Sequence, residues 1–95
     1  MPRFYFHICD GSGFVEDEEG RELPSAERAH KEAIKGARDL ISAEAQKGAV
    51  NLASYIEVEN DARELLFMVT FSDAFEIKSQ PCPRPPRNKN GARLD

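Results

Sequence analysis

Three side chains near the start of the sequence could do chemistry together: His7, Cys9 and Asp10. His7 and Cys9 are two residues apart in an alternating run. In a β-strand they would share a face and could bind one metal ion. A thiol beside an imidazole is also the pair used by nucleophilic cysteine enzymes. The three residues therefore suggest one hypothesis, a small-ligand or metal-dependent enzyme.

The same residues also have a simpler interpretation. Two ligands do not complete a structural zinc site, and His30 and Cys82 lie far away in the sequence. No third residue is predicted to orient a Cys–His pair. The acidic run 16–19 lacks the spacing of a calcium loop and is expected to be solvated. We therefore predict a half-buried strand histidine with a satisfied hydrogen bond, no catalytic residue, no metal site and no cofactor.

A β-strand over residues 3–9 must position these side chains. Its alternation predicts Phe4, Phe6 and Ile8 on one face and Tyr5, His7 and Cys9 on the other. The sequence Asp-Gly-Ser-Gly at 10–13 favours a turn, and residues 14–15 favour a short return strand.

One amphipathic helix follows at residues 25–47. Ser25 is the expected N-cap, and Gly48 stands where a left-handed C-terminal cap is favoured. Small and aliphatic residues fall on one side of this helix and charged residues on the other. The helix is therefore predicted to pack on a sheet.

A second hairpin completes the expected fold, with strands at 55–59 and 64–71 and a turn at 60–63. The predicted class is α+β with the order ββαββ: an antiparallel sheet of about four strands with one long helix across one face. The helix is expected to cover one set of strand side chains: Phe4, Phe6, Ile8, Ile56, Val58, Leu65, Phe67 and Val69.

The uncovered face of this sheet is too apolar for a wholly solvated surface. The candidate interaction surface on it comprises Tyr5, His7, Tyr55, Leu66 and Met68. Two explanations stay open. Either a second copy of the chain covers the face or binds a sheet edge, giving a homodimer, or residues 74–77 fold back over it.

Charge and composition divide the 95-residue chain into a single domain at 1–77 and a Pro/Arg-rich tail at 78–95 that is expected to be disordered. The tail has five basic residues and one acidic residue, so it carries +4 and the domain carries −8. An acidic domain does not attract a phosphate backbone, so nucleic acid is not the expected partner. A weak contact of the tail with nucleic acid or an acidic protein is a further alternative.

Two cysteines, no signal peptide and no membrane-length apolar run favour a cytoplasmic protein with free thiols. The most favoured function is a non-enzymatic module for protein interaction or self-association. Its partner would be a second copy or another protein.

Several motifs resemble a family of small bacterial proteins known chiefly as a domain of unknown function. They are the opening MPRFYFHICDG, the acidic lead-in DEEG-x-ELP, the helical ARDL at 37–40, the strand IEV and the ending F-x-DA-x-EI at 71–77. The resemblance spans residues 1–77. It implies a domain that ends near Ile77 and gives no activity or site residue.

Overall fold

The computed structural model describes residues 1–86 and shows an antiparallel sheet with one long helix, which confirms the predicted α+β class. The elements in chain order are β1 (Arg3–Asp10), β2 (Gly13–Val15), β3 (Arg21–Glu22), α1 (Ala26–Gln46), β4 (Tyr55–Glu59) and β5 (Leu65–Thr70), with a 3₁₀ turn at Phe71–Asp73. In space the strands lie in the order β2-β1-β4-β5, and β3 also pairs with β1. The sheet therefore has five strands, one more than expected.

The helix α1 has the predicted ends. The Ser25 hydroxyl accepts a hydrogen bond from the Arg28 N–H at 3.2 Å, and Gly48 takes a φ of +94° just after the last turn. Ala29, Ala33 and Ala37 are fully buried. Because these side chains are small, α1 lies close to the large strand side chains that fill the core.

The strand β3 was not predicted, because a strand of two residues is too short to show an alternation of apolar and polar side chains. β2 pairs with the end of β1, from Ile8 to Asp10, and β3 pairs with its beginning, at Arg3 and Phe4. Residues 16–20 cross the gap between these two pairings. The outer side of β1 is therefore occupied in two separate places.

A register shift between β4 and β5 corrects the predicted position of Leu65. Leu65 pairs with Glu59 and Phe67 pairs with Val58, so Leu66 is an extra residue, a β-bulge. The bulge reverses the alternation before Phe67. Leu65 was predicted to lie beneath the helix, but it is 57 % exposed.

The end of the domain packs on the helix side of the sheet, which corrects the prediction that residues 74–77 might cover the other face. Phe71 and Ala74 are buried in the core. The Phe71 N–H donates to the Ser54 carbonyl at 2.8 Å, and the Arg38 guanidinium donates to the Ala74 carbonyl. Burial of the Phe71 ring explains this course of the chain, and Ile77 stays exposed.

Residues 78–86 contain no helix or strand. The rest of the predicted tail, 87–95, lies outside the described residues. Within residues 1–86, no helix is both long and apolar enough to cross a membrane.

Candidate functional site

The sheet face opposite α1, called the open face below, carries Tyr5, His7, Tyr55 and Met68 of the predicted interaction surface, while Leu66 lies at the bulge of β5. Met68 and Leu66, on β5, are 51 % and 41 % exposed. Tyr5 and Tyr55 are half-buried on β1 and β4. His7 differs from the other four because it is only 2 % exposed.

His7 is therefore on the predicted face but cannot be a contact residue, which corrects that part of the prediction. The Phe14 ring lies against it, with 5.6 Å between the ring centres. The Asp17 backbone N–H donates to His7 Nδ1 at 3.0 Å. Since Nδ1 is then an acceptor, the ring hydrogen is on Nε2, which lies 2.9 Å from Glu59 Oε1 and donates to it. The hydrogen-bonded strand histidine expected from the sequence is present, but it is buried and not half-buried as predicted.

Both ring nitrogens of His7 are thus occupied by protein partners. A metal ion needs a free imidazole lone pair, and so does a substrate proton. In this arrangement, His7 has no free ring nitrogen to serve as the metal ligand or base that the enzyme hypothesis requires.

Cys9 and Asp10 are bound into separate local structures. The Cys9 thiol lies beside Tyr55, and their hydrogen bond raises the pKa of the Tyr55 phenol. Asp10 accepts hydrogen bonds from the hydroxyl and backbone N–H of Ser12, at 2.7 and 2.8 Å, which lower the pKa of its carboxyl group. In residues 1–86, no three His, Cys, Asp or Glu side chains gather closely enough to hold a metal ion.

A shallow cavity of about 390 Å³ opens beside His7. Glu59 and Arg63 line it, with Nη1 of Arg63 lying 3.6 Å from Oε1 of Glu59. The hydrogen bond from His7 lowers the pKa of Glu59 most, and Arg63 lowers it further, against the opposing effect of burial. The Arg63 guanidinium also lies 4.0 Å from the centre of the Tyr5 ring. Glu59 and Arg63 are therefore paired with each other beside this cavity, and the exposed Glu16 also lines it.

Asp17 closes the outer edge of β1, a role that the sequence did not reveal. Its carboxylate accepts hydrogen bonds from the N–H groups of Phe6, Gly20 and Glu19, at 3.0, 3.0 and 3.2 Å. Burial alone would raise its pKa, but these bonds outweigh burial and lower it. The run 16–19 was predicted to be wholly solvated, and Asp17 is the exception. The one available signal was an aspartate three residues before a glycine, a spacing typical of local side chain to backbone turns.

The outer edge of β5 has no such cover. β5 pairs with β4 on one side, and no strand among residues 1–86 pairs with it on the other. Its sequence, LLFMVT, contains no charged residue, proline or glycine. Natural edge strands are usually protected by charged residues, prolines or bulges, and of these β5 has only the bulge at Leu66. The candidate functional site is therefore the outer edge of β5, together with the exposed Leu65, Leu66 and Met68 beside it.

Comparison with known proteins identifies a family to which no activity has been assigned. A family model described as "Domain of unknown function (DUF6894)" matches residues 3–72. No curated protein and no solved structure matches the chain. The family resemblance expected from the sequence motifs is confirmed.

Proposed function

We propose, on the premise that the chain belongs to the DUF6894 family of domains of unknown function, that it is a non-enzymatic interaction module that self-associates. One observation carries this proposal. β5 is an uncharged edge strand, and three large aliphatic side chains are exposed beside it. Unpaired backbone groups and adjacent apolar surface are what strand-to-strand association requires.

A second copy of the chain is the partner that this surface fits best. Identical uncharged strands approach one another without like-charge repulsion, and a two-fold axis lets each copy bury the same residues. Cytoplasmic residence is part of the proposal, supported by the free thiols of Cys9 and Cys82.

The rival function is a small-ligand or metal-dependent enzyme that uses His7, Cys9 and Asp10. The two occupied nitrogens of His7 favour the interaction module. Metal analysis of the purified protein and a thermal-shift screen against His7→Ala separate the two. Bound metal, or a ligand that stabilises the protein only when His7 is present, would favour the enzyme.

A contact between the basic tail and a nucleic acid is the third alternative. Its charge is the only supporting observation. Truncation after Ile77, followed by a binding assay at several salt concentrations, tests it. Salt-sensitive binding that disappears on truncation would support this alternative.

The main test of self-association is analytical ultracentrifugation of the full chain and of Met68→Glu. We expect a dimer whose dissociation constant rises at least about tenfold in the variant, because two carboxylates would be brought together at the interface. Val15→Glu is the matched control. Val15 is 58 % exposed on β2, across the sheet from β5. A monomer at every accessible concentration would refute the proposal.

A further inference from the structure

We propose that His7 and the loop 16–20 form a pH-sensitive latch on the outer edge of β1. At neutral pH the latch is closed, because the uncharged His7 ring accepts a hydrogen bond from the Asp17 backbone N–H at 3.0 Å. When His7 takes up a second ring proton, this bond breaks and the loop leaves the edge of the strand. The latch operates within one copy of the chain, whether or not the chain self-associates.

The hydrogen bonds of His7 are compatible with only one charge state of its ring. Nε2 carries the hydrogen and donates to Glu59 Oε1 at 2.9 Å, so a second proton can be added only at Nδ1. Nδ1 would then present an N–H group to the Asp17 N–H, 3.0 Å away. Because two donors cannot form a hydrogen bond with each other, and the ring is buried, one of the two groups must move.

The loop is the part that moves, since protonation affects the two partners of His7 in opposite ways. The hydrogen bond to the Glu59 carboxylate becomes an ion pair and is strengthened. The hydrogen bond from the Asp17 N–H is lost. Glu59 lies on β4, a strand paired on both sides, whereas residues 16–20 contain no helix or strand. The ring therefore stays on β4 and releases the loop.

The charged groups around His7 favour the uptake of a proton. β2 presents only the uncharged Phe14 ring. The titratable and charged groups near the ring are Tyr5 and Cys9 on β1, Tyr55, Glu57 and Glu59 on β4, Arg63 in the turn after β4, and Glu16 and Asp17 in the loop. Four of these groups are carboxylates, and the guanidinium is the one base among them. The positive charge of a protonated ring is therefore stabilised, while its second N–H has no acceptor in the closed loop.

Asp17 and Glu59 keep their charges over the pH range in which the latch opens. Burial alone would raise the pKa of Asp17, but its bonds to three backbone N–H groups lower it below the ordinary 3.8. The hydrogen bond from His7 lowers the pKa of Glu59 below the ordinary 4.5. Opening above about pH 5 therefore comes from the histidine and not from these carboxylates.

Opening of the latch would uncover β1 between its pairings with β2 and β3. The Phe6 N–H, which donates to the Asp17 carboxylate at 3.0 Å, would lose its acceptor. The His7 ring would meet water, in which an imidazole titrates near pH 6.5. Because the open form binds the second proton and the closed form does not, lowering the pH from 7.5 to 5.5 should favour the open form about tenfold.

Amide hydrogen exchange of the full chain at pH 7.5 and 5.5 tests the latch, with rates corrected for the intrinsic effect of pH on exchange. We expect the protection factors of the Phe6 and Asp17 N–H groups to fall about tenfold at pH 5.5. In His7→Asn, the side-chain oxygen can still accept from the Asp17 N–H but cannot be protonated, so these protection factors should be equal at the two pH values. His30→Asn is the matched control and should keep the tenfold fall.

Constant protection in the unaltered protein, or a fall that persists in His7→Asn, would overturn the latch. So would protection equal to that of the Val58 N–H in β4 at both pH values, because the loop would then be released only by global unfolding. If His7→Asn does not fold, a ¹⁵N NMR titration of the unaltered chain decides. Nδ1 of His7 and the Asp17 amide should change at the same pH, and a protonated ring beside a protected Asp17 N–H would refute the proposal.

Discussion

Asp17 connects three parts of the molecule through hydrogen bonds of two kinds. Its carboxylate binds backbone N–H groups of β1 and of its own loop. Its own N–H donates to His7, and the opposite nitrogen of that ring donates to Glu59 on β4. The loop, the central strand and the next strand are therefore joined by one chain of bonds. In such a network each bond depends on its neighbours.

We expect Asp17→Asn to lower stability near neutral pH and to flatten the acid limb of the pH–stability curve. The folded pKa of Asp17 lies below its ordinary value of 3.8. Its stabilising effect is therefore complete above about pH 5 and is lost as the pH falls through the folded pKa. Removing the charge from an acceptor of three hydrogen bonds should cost about 1–2 kcal/mol at pH 6. Urea titrations from pH 6 to 2.5 measure both effects.

The exposed neighbour Glu16 provides the control for this experiment. Glu16→Gln should give a curve close to that of the unaltered protein. If Asp17→Asn runs parallel to the unaltered protein at all pH values, the carboxylate does not have the role described above.

At the scale of elements, Gly36 and Gly20 allow two effects of glycine to be measured separately. Gly36 tests helix propensity, and Gly20 tests backbone strain. Gly36 lies within α1, and a Cβ placed there would meet only the Ile56 side chain at 3.7 Å, an ordinary contact. Gly20 has a φ of +69°, and a Cβ there would lie 2.8 Å from the Phe4 carbonyl oxygen.

We therefore expect Gly36→Ala to stabilise the protein by about 0.5–1 kcal/mol, since alanine loses less backbone freedom in a helix. Gly20→Ala should destabilise it by about 1–3 kcal/mol. Thermal and urea unfolding of the two variants measure these changes. Equal effects of the two substitutions would contradict the local geometry.

The elements that the sequence predicted well are those with strong local signals. Ser25 and Gly48 marked the ends of α1, and the alternation around His7 gave β1 and its two faces. The bulge at Leu66 was missed because apolar residues lie at both the odd and the even positions of LLFMVT. A shift of one residue therefore leaves no mark on the hydrophobic pattern. β3 and Asp17 were missed because their partners come from β1, more than ten residues away. The unpaired edge of β5 depends on strand order, which local patterns do not specify.

The charge of the whole molecule is unevenly placed: residues 1–77 carry −8 and residues 78–95 carry +4. In the proposed dimer, the acidic residues 1–77 of the two copies would repel each other, and the basic residues 78–95 would reduce that repulsion. The effect must depend on salt, because the screening length falls from about 30 Å at 0.01 M to about 8 Å at 0.15 M.

We expect replacement of the five basic tail residues by glutamine to weaken the dimer several-fold at about 0.01 M ionic strength and hardly at all at 0.15 M. The residues are Lys78, Arg84, Arg87, Lys89 and Arg93. Sedimentation at both salt concentrations measures the effect, and five glutamines in place of uncharged tail residues give a control of equal length. An equal loss at both salt concentrations would show that the tail acts through direct contact instead.

The position of β1 has a consequence for how the chain is made. β1 comes early in the sequence, yet it lies inside the sheet, and its partner β4 follows about fifty residues later. During synthesis, the first strand therefore emerges from the ribosome well before its partner β4. Such distant pairing is slow, since a long loop must close before any contact forms. We therefore expect the nascent chain to complete its core only after β4 and β5 have both emerged.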